Sequence, residues 1–482
     1  MRTLALGEMH TYLDPPLETW RLAPNRGLDR AALAPLVQRV QAEDPPPLDT
    51  SQPIIATGHQ AWLWHPGILA KDIAAVSAAR RLNATALHVV VDHDVLDPLR
   101  LELPVQRDDR LEVETLHLGR ANPALPTGAQ PAVDPAEAIS ALTGARDRLG
   151  EALVTDVQPL IEAIESTRRT RYPSLAHQIS AWTAILMRPW CGDVPHVPAS
   201  ALLQTPPGRA LVQAMLADAR RCIGRYNDAV AAHPEAGIAP LVIERERVEL
   251  PMWALCWNGL RQRVFADLAD RAPLLTLEDG TLVDTDDGAW LAPRALLLTA
   301  LMRAALCDLF IHGKGGGAYD RITEQWWRTW RGEPLAPMAV VSADAHLSFD
   351  VPLADRAALA RARWQRHHVP FNVDRLLHLD GPLVAQKQRL IQRMHADGQL
   401  TPRRARRRQH WLAFREIHRI NAELCRAHPQ VLDDADRQLA TARLGLTNAR
   451  IAGKRDWCFA LYPAATLEAL RGAIEHPAPV CP

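Results

Sequence analysis

The chain has 482 residues, of which 48% are hydrophobic and 23% are charged, and its 55 basic residues balance 55 acidic ones. This length is typical of two or three folding units with a sizeable core. The balanced composition argues against a disordered, collagen-like or nucleic-acid-coating protein. Every apolar run is shorter than the roughly 18 residues needed to span a bilayer, so we expect a cytoplasmic protein without a membrane partner.

The first 50 residues are rich in proline and polar residues, and 1–50 therefore predict an extended N-terminal arm with one short helix near 28–42. The pattern becomes regular after the arm, and 51–134 predict the first half of an α/β core. A β-like run, a helix and a second apolar run follow one another there, so the two strands must be parallel. These three elements are expected at 53–57, 67–82 and 86–91.

The next segment, 135–235, is mostly helical in pattern and is interpreted as an insertion into the core. The α/β pattern resumes over 236–350, which predict the second half of the core. Its expected elements are short strands at 241–243, 248–250 and 253–255, a turn at 278–280, a helix at 293–306, a strand at 308–312, a glycine loop at 313–317, a helix at 318–331 and a strand at 338–342.

Two helical stripes predict that 351–450 form an antiparallel, coiled-coil-like helical hairpin. Thr401 followed by Pro402 gives an N-cap and a first-turn proline between the stripes. The basic run 403–408 is compatible with nucleic-acid binding, but at zero net charge a solvated helix face is favoured. The stripes are Leu383, Leu390, Ile391 and Met394, and Phe414, Ile417, Ile420 and Leu424.

The C-terminal tail, 451–482, carries an apolar group that we expect to dock on the core, namely Trp457, Phe459, Leu461 and Tyr462. The fold class predicted by all these patterns is α/β, with a parallel-sheet core, a helical insertion and a helical hairpin.

Seven cysteines stand at wide intervals without a CxxC pair, which is typical of buried thiols rather than a disulfide scaffold or a zinc finger.

Lysines are rare in this chain, since only four of its 55 basic residues are lysine. An ammonium and a guanidinium are not interchangeable, so the position of each remaining lysine is informative. Two of the four, Lys71 and Lys314, fall in glycine-bearing segments that follow predicted strands.

Four predicted strands end in polar or glycine-bearing groups. Ligands of open parallel sheets bind beyond the carboxyl ends of the strands. If the four strands are parallel neighbours, these groups line one crevice. They are Thr57 to Gln60, Asp92 to Asp94, His312 to Gly317, and Ser342 to Asp344.

The first group leads into a helix start where backbone N–H groups and the helix dipole favour an anion. We therefore predict a phosphate or carboxylate site, with a glycine turn and packed tryptophans as the structural alternative. The sequence has neither a GxGxxG nor a Walker pattern here. The candidate residues are Thr57, Gly58, His59 and Gln60 at the strand end, and His65, Gly67 and Lys71 at the helix start.

The glycine segment follows the same logic, because consecutive glycines let backbone amides approach a ligand while a lysine reaches over it. The lysine precedes most of the glycines, unlike the lysine of a Walker motif, so we predict a mobile phosphate-binding loop. A purely structural glycine turn is the alternative. The candidates are His312, Gly313, Lys314, Gly315, Gly316, Gly317 and, in the helix behind them, Tyr319.

The remaining cluster, Asp92, His93 and Asp94, places two carboxylates and an imidazole at one strand end. Strand alternation would direct the two carboxylates to one side and the imidazole to the other. These groups suit Mg²⁺, a ribose, an amine or a general base, with a hydrogen-bonded loop anchor as the alternative. No second ligand cluster at metal spacing exists, which argues against a structural metal.

These segments together resemble those of the bacillithiol-biosynthesis cysteine ligases. Members of that family carry a TGQQ segment, an EDHDF segment and a GGPGE-type loop upstream of a tyrosine, in the same order. The resemblance spans about 53–105 and 293–345 and includes the helical hairpin. Three positions depart from the family pattern: His59 replaces a glutamine, Val91 replaces the glutamate before DHD, and Gly317 stands where the loop would carry glutamate.

The resemblance implies a Rossmann-like, nucleotidyltransferase-like core and a coiled-coil arm that mediates homodimerisation. It also implies condensation of cysteine with a glucosaminyl-malate-like acceptor. We therefore expect a ligase-like or group-transfer enzyme that forms a carbon–nitrogen bond on an anionic small molecule. The cofactor is left open, with ATP or ADP and Mg²⁺ as candidates.

The expected roles divide the candidate residues into three groups. Lys71, His65 and Lys314 would bind phosphate or carboxylate, helped by the amides of 313–317. His59 and His93 are candidates for proton transfer, and Asp92 and Asp94 for orienting an amine, a ribose or Mg²⁺. A metal-dependent hydrolase built on Asp92, His93, Asp94 and His59 is one alternative, and an RNA-binding, synthetase-like protein is another.

Overall fold

A computed structural model describes residues 9–22, 27–41, 46–256, 258–269, 272–283, 290–396 and 403–476, with the backbone alone of 403–406. It is a mixed α/β structure, 53% helical. The chain divides into two compact units. The first unit comprises Met1–Val105, Val113–Leu347 and Arg455–Pro482, and the second comprises Gln106–Glu112 and Ser348–Lys454.

The strands of the described residues are β1 (His10–Asp14), β2 (Ile54–Gln60), β3 (Thr85–Val91), β4 (Arg100–Arg107), β5 (Arg110–His117), β6 (His196–Pro198), β7 (Arg247–Leu255), β8 (Arg261–Asp267), β9 (Leu274–Leu277), β10 (Trp290–Pro293), β11 (Leu309–His312) and β12 (Met338–Asp344).

The α-helices are α1 (Pro66–Leu82), α2 (Pro135–Leu149), α3 (Gln158–Ser166), α4 (Leu175–Cys191), α5 (Pro206–Ala217), α6 (Ala219–Ala232), α7 (Ala295–Leu301), α8 (Lys314–Arg331), α9 (Arg356–His368), α10 (Val373–Leu376), α11 (Pro382–Ala396), α12 (Arg403–Ala427), α13 (Pro429–Ala452) and α14 (Ala464–Glu475). A π-helical turn, Met302–Leu306, follows α7.

The main sheet of the first unit has six strands in the order β1, β12, β11, β2, β3, β6. The four strands predicted from the sequence, β12, β11, β2 and β3, are parallel neighbours, and β6 extends them in parallel. This confirms the predicted parallel sheet. Only β1, at the edge, runs antiparallel to its neighbour.

The order of the five parallel strands defines where a ligand crevice lies. In chain order they are β2, β3, β6, β11 and β12. Across the sheet the order is β6, β3, β2, β11, β12, which is third, second, first, fourth and fifth in the chain. The chain therefore builds the sheet outward from β2 in one direction and then from β11 in the other. The connections leaving the carboxyl ends of these two strands diverge, which opens a crevice between them.

Two strands of the main sheet come from segments where the sequence predicted none. The predicted N-terminal arm contributes β1, and the predicted helical insertion contributes β6 between its helices α4 and α5. The sequence shows no sign of these two strands, because runs of five and three residues are too short to show a clear period. The short helix expected near 28–42 is a 3-10 helix at Arg30–Leu36.

The three short strands predicted for 241–255 are largely one strand, β7, with an irregularity between Leu250 and Trp253. It lies in a four-stranded antiparallel sheet of order β10, β7, β8, β9. The segment before it makes only an isolated bridge, from Ile243 to Val248. The predicted turn at 278–280 follows β9 directly.

The C-terminal tail is anchored within the first unit. The Phe459 amide donates a hydrogen bond to the Trp64 carbonyl oxygen over 2.6 Å, and the Tyr462 hydroxyl donates one to the Ala345 carbonyl oxygen over 3.0 Å. Both aromatic rings are buried. These contacts hold the segment that begins at Arg455 against the end of β12.

The second unit contains the predicted helical stripes, on α11 and α12. Gln386 of α11 donates a hydrogen bond to Glu416 of α12 over 2.9 Å, and Ile420 and Leu424 are buried in the small core between helices. Phe414 is 54% exposed, so the second stripe does not begin there as predicted. The predicted N-cap at Thr401 and Pro402 lies outside the described residues. Of the basic run, Arg407 and Arg408 are exposed.

Among the described residues, every helix is too short or too polar to cross a membrane.

Candidate functional site

A cleft with a volume of about 600 Å³ lies in the first unit, at the carboxyl ends of β2, β3 and β11. Most of the residues predicted for the site line it. They are Gly58, His59 and Gln60 from β2, His65, Gly67 and Lys71 from α1 and the residue before it, His93 and Asp94 after β3, and His312, Gly313, Lys314, Gly315, Gly316 and Tyr319 from β11 and α8.

The start of α1 is capped by a neutral histidine. The Gly67 amide donates a hydrogen bond to His65 Nδ1 over 3.1 Å, and Pro66 occupies the first helical position, which suits a helix start. The pKa of His65 is lowered to about 4, mainly by burial and in second place by the positive charge of Arg455. A ring nitrogen accepts a hydrogen bond only while it is unprotonated, so the low pKa preserves the cap.

Lys71 is a buried ammonium beneath the cleft. Its side chain donates to the Gly58 carbonyl oxygen over 2.5 Å, and the residue is only 3% exposed. Within the described residues no carboxylate lies within 4 Å of its Nζ, since the neighbouring Asp72 instead contacts His88 over 2.8 Å. Burial lowers the pKa of Lys71 to about 8. An ammonium without a counter-ion in a desolvated position is stabilised by an incoming anion.

The glycine segment does not form the predicted mobile loop, because the helix begins within it. Gly313 is the N-cap of α8, and no side chain of the described residues caps the helix. A Cβ at Gly316 would stand 2.6 Å from His312 Nδ1, whereas one at Gly315 would meet nothing within 4 Å. The amides of this first turn lie along the cleft, where the dipole of an 18-residue helix adds partial positive charge.

One carboxylate at the rim holds two cations. Lys314 Nζ lies 3.5 Å from Asp344 Oδ2, and Arg455 donates to the other oxygen of the same carboxylate. Lys314 is therefore tied to the end of β12. The side chain still has 47% of its surface exposed and retains room to turn toward a ligand.

The opposite wall carries arginines from the antiparallel sheet. Arg261 donates to Asp94 over 2.8 Å and to the His93 carbonyl oxygen over 3.1 Å, and Gln60 donates to the other Asp94 oxygen over 3.0 Å. The Trp253 ring lies 3.9 Å from the Arg294 guanidinium carbon and 4.6 Å from that of Arg261. Asp94 is thus fully engaged as an anchor of this wall.

The lining carries more cations than carboxylates, although four of the cations pair with carboxylates: Arg261 with Asp94, Arg294 with Glu249, and Lys314 and Arg455 with Asp344. Its ionisable side chains other than histidine and tyrosine are five cations and one carboxylate, Asp94. The cations are Lys71, Arg261, Arg294, Lys314 and Arg455.

Three predicted site residues lie outside the cleft lining. The Thr57 hydroxyl donates to the Ile311 carbonyl oxygen over 3.0 Å and joins β2 to β11. Asp92 accepts hydrogen bonds from the Ser200 amide over 2.9 Å and from its hydroxyl over 2.5 Å. Gly317 packs against Val340, where a side chain would collide. These three residues hold the sheet, the β3 end and α8 in place.

The expected alternation after β3 was wrong. Asp92 turns away from the cleft while His93 and Asp94 both line it, because the regular strand ends at Val91. Within the described residues there is no group of three or more histidine, cysteine or acidic side chains placed to hold a metal ion. The four ligands of the metal-dependent hydrolase alternative are therefore not together, because His59, His93 and Asp94 line the cleft and Asp92 lies outside its lining.

Several lining residues had no usable signal in the sequence. Arg261, Arg294 and Arg455 are three among many arginines, and nothing in their local pattern distinguishes them. Trp253 lies on β7 of a different sheet. Ser342, in contrast, belongs to the fourth strand-end group that the sequence predicted to line the crevice.

Neither the protein-family models nor the curated proteins include a match to this chain.

Proposed function

We propose that this protein is a ligase-like or group-transfer enzyme acting on an anionic small molecule, whose phosphate or carboxylate binds at the start of α8 above Lys71. The observation that carries the proposal is the buried ammonium of Lys71, which contacts the cleft wall through Gly58 and, among the described residues, has no carboxylate within 4 Å of its Nζ. The start of α8, which no side chain caps, supplies backbone donors at the same place.

The strand order supports a Rossmann-like core. The order third, second, first, fourth, fifth is that of doubly wound dinucleotide-binding sheets, and the cleft lies at their switch point between β2 and β11. Together with the DHD and TGxQ segments, this favours the bacillithiol cysteine ligases as the nearest functional class. Formation of a carbon–nitrogen bond is then the proposed reaction, and dimerisation through the helical hairpin stays a prediction.

The lining fits the phosphates of ATP or ADP better than it fits Mg²⁺. Phosphate oxygens would meet Lys71, Lys314 and the first amides of α8. Mg²⁺ prefers several oxygen ligands, whereas the one lining carboxylate, Asp94, is engaged by Arg261 and Gln60. A metal ion bound here would therefore arrive with the nucleotide and take most of its ligands from phosphate and water.

The proposal is tested by thermal unfolding of the full chain with ATP, ADP, inorganic pyrophosphate, L-cysteine and glucosaminyl-malate. A ligand that binds only the folded state at 100 times its Kd adds about 2.7 kcal/mol of stability. We expect at least one of the phosphate compounds to raise the Tm of the parent, and Lys71→Met to abolish most of that rise.

Arg80→Met is the matched control, because Arg80 lies on the same helix but its side chain is 63% exposed and pairs with Glu475 outside the cleft. It should retain the full ligand-induced rise in Tm. The proposal would be overturned if both variants lost the ligand-induced rise in Tm equally, or if none of the anions raised the Tm of the parent.

A further inference from the structure

The histidines of the cleft differ in what their ring nitrogens contact. His59 has a buried Nδ1 without a hydrogen-bond partner, and burial lowers its pKa well below the ordinary value. His65 Nδ1 is occupied as the cap of α1. His93 Nδ1 lies 3.6 Å from Asp92, whose oxygens are already held by Ser200. Of these three rings only His93 has a carboxylate within 4 Å among the described residues, and Ser200 already donates to both oxygens of that carboxylate.

His312 differs because its buried carboxylate lies closer and is itself paired with an arginine. Its Nε2 lies 3.3 Å from Asp320 Oδ2, and the Asp320 side chain is fully buried. His312 is the last residue of β11, and Asp320 lies two helical turns into α8, so the strand-to-helix connection itself creates the pair. The interval of eight residues between His312 and Asp320 is therefore set by the connection from β11 to α8 and by the first two turns of α8.

The carboxylate is kept ionised by a buried arginine. Arg303 donates to Asp320, to the Ala336 carbonyl oxygen over 2.7 Å and to Glu324 over 2.6 Å. Burial alone would raise the pKa of Asp320, but the adjacent His312 ring and the Arg303 charge bring it below its ordinary value. Arg303 lies in the π-helical turn after α7, a feature frequent at functional sites.

The other ring nitrogen of His312 lies on the side of the cleft. Nδ1 has no hydrogen-bond partner among the described residues, and it stands beside Gly316, which lines the cleft with His312 itself. The missing Cβ of Gly316 is what leaves room for the ring. A carboxylate on one nitrogen and an open cleft at the other is the arrangement of an oriented general base.

We propose that His312 is the proton acceptor of the cleft and that Asp320 is its positioning residue, which holds a proton on Nε2 and leaves the Nδ1 lone pair for substrate. In the proposed reaction, an amine nitrogen bonds to an acyl carbon that carries an oxygen leaving group. Nδ1 takes the proton that the amine loses. The imidazolium then returns this proton to the leaving oxygen as the carbon–oxygen bond breaks.

This inference deepens the proposed function and rests on it for the reaction class, but the state of the ring is measurable without any substrate. Two-bond ¹H–¹⁵N correlation spectra of the full chain, labelled with ¹⁵N-histidine, report which nitrogen carries the proton. The signals that vanish in His312→Gln identify this ring. At pH 8 we expect the Nε2–H tautomer in about tenfold excess.

Asp320→Asn removes the negative charge and should lower that excess several-fold. Glu324→Gln is the matched control, because it removes the other carboxylate of Arg303 without contacting His312, and its tautomer ratio should equal that of the parent. A proton on Nδ1 in the parent, or an unchanged ratio in Asp320→Asn, overturns the inference. Should Asp320→Asn fail to fold, the parent spectrum alone decides. The tautomer measurement and the ligand-induced rise in Tm are independent, so a negative result in one does not decide the other.

Discussion

The ammonium of Lys71 donates to the carbonyl oxygen of Gly58 across 2.5 Å, from helix α1 to strand β2. The contact occupies one of the three hydrogens of the ammonium, and among the described residues no carboxylate lies within 4 Å of the charge. Desolvation of that charge opposes folding, whereas binding of an anion relieves it. The buried charge of Lys71 thus lowers the stability of the free protein and favours the binding of an anion.

The free energy of unfolding should depend on pH through Lys71. Its pKa of about 8 in the folded state lies below the ordinary lysine value of 10.5, so the unfolded chain binds more protons between these values. Stability contributed by this group is therefore lowest below pH 8 and rises as the pH increases through 8 toward 10.5. Relative to Lys71→Met, the parent should gain roughly 3 kcal/mol over that range.

Urea unfolding of both proteins at a series of pH values measures this difference. Arg80→Met, changed at an exposed position of the same helix, should follow the parent. Parallel curves for the parent and Lys71→Met would contradict the assigned cause.

Anion affinity should decrease when Lys71 loses its proton. Sulfate is a suitable probe, because its own charge is constant above neutral pH. Below pH 8 the ammonium is present and binding is strongest; above pH 8 the Kd should rise by up to about tenfold per pH unit until the pKa of the bound state is reached. Calorimetric titration of the parent gives the profile, and Lys71→Met should bind weakly with a flat profile over this range.

Two adjacent glycines of α8 should respond to alanine in opposite ways. Gly315→Ala meets open space and places a better helix former in the first turn, so we expect a gain of about 0.5–1 kcal/mol. Gly316→Ala would place its Cβ 2.6 Å from His312 Nδ1, so the ring must move and stability should fall by about 1–3 kcal/mol.

Chemical denaturation measures both values. The His312 signals of labelled protein should shift in Gly316→Ala and keep their position in Gly315→Ala. Equal effects of the two substitutions would mean that the ring does not occupy the space above Gly316.

The cap at His65 should make the first unit sensitive to acid. The pKa of about 4 in the folded state lies below the ordinary histidine value of 6.5, so the unfolded chain binds more protons between these values. Stability therefore falls as the pH decreases from 6.5 to 4. His65→Ser retains an N-cap acceptor that does not titrate. Its stability should fall less than that of the parent over this range, by about 1–3 kcal/mol. Thermal unfolding between pH 4 and pH 7 tests this, and a steeper decline in His65→Ser would refute it.

The parallel core was predictable because its strands and helices are long enough to show their periods. The run at 53–57 and the helix at 67–82 correspond closely to β2 and α1, and the parallel pairing followed from their connection. The cleft followed from a general property of parallel sheets, namely that strand ends with the same direction meet at one edge. Glycines and lysines then indicated which ends were chemically distinctive.

The parts that failed depend on contacts between distant segments. The start of α8 within the glycines was missed because glycine has a low helix propensity, and here packing against Val340 and His312 overrides it. Asp92 could not be distinguished from Asp94 without knowing that Ser200 lies behind it. The arginines of the far wall reach the cleft through a second sheet, whose position relative to the first has no local signature.

The anchoring of Phe459 to Trp64 has a consequence for the order in which this protein matures. Arg455 lines the cleft, yet it follows the whole second unit in the chain. During synthesis the central strands and both lysines leave the ribosome long before the segment that completes their wall. A nascent chain therefore carries an unfinished cleft until the second unit and Arg455 have been made.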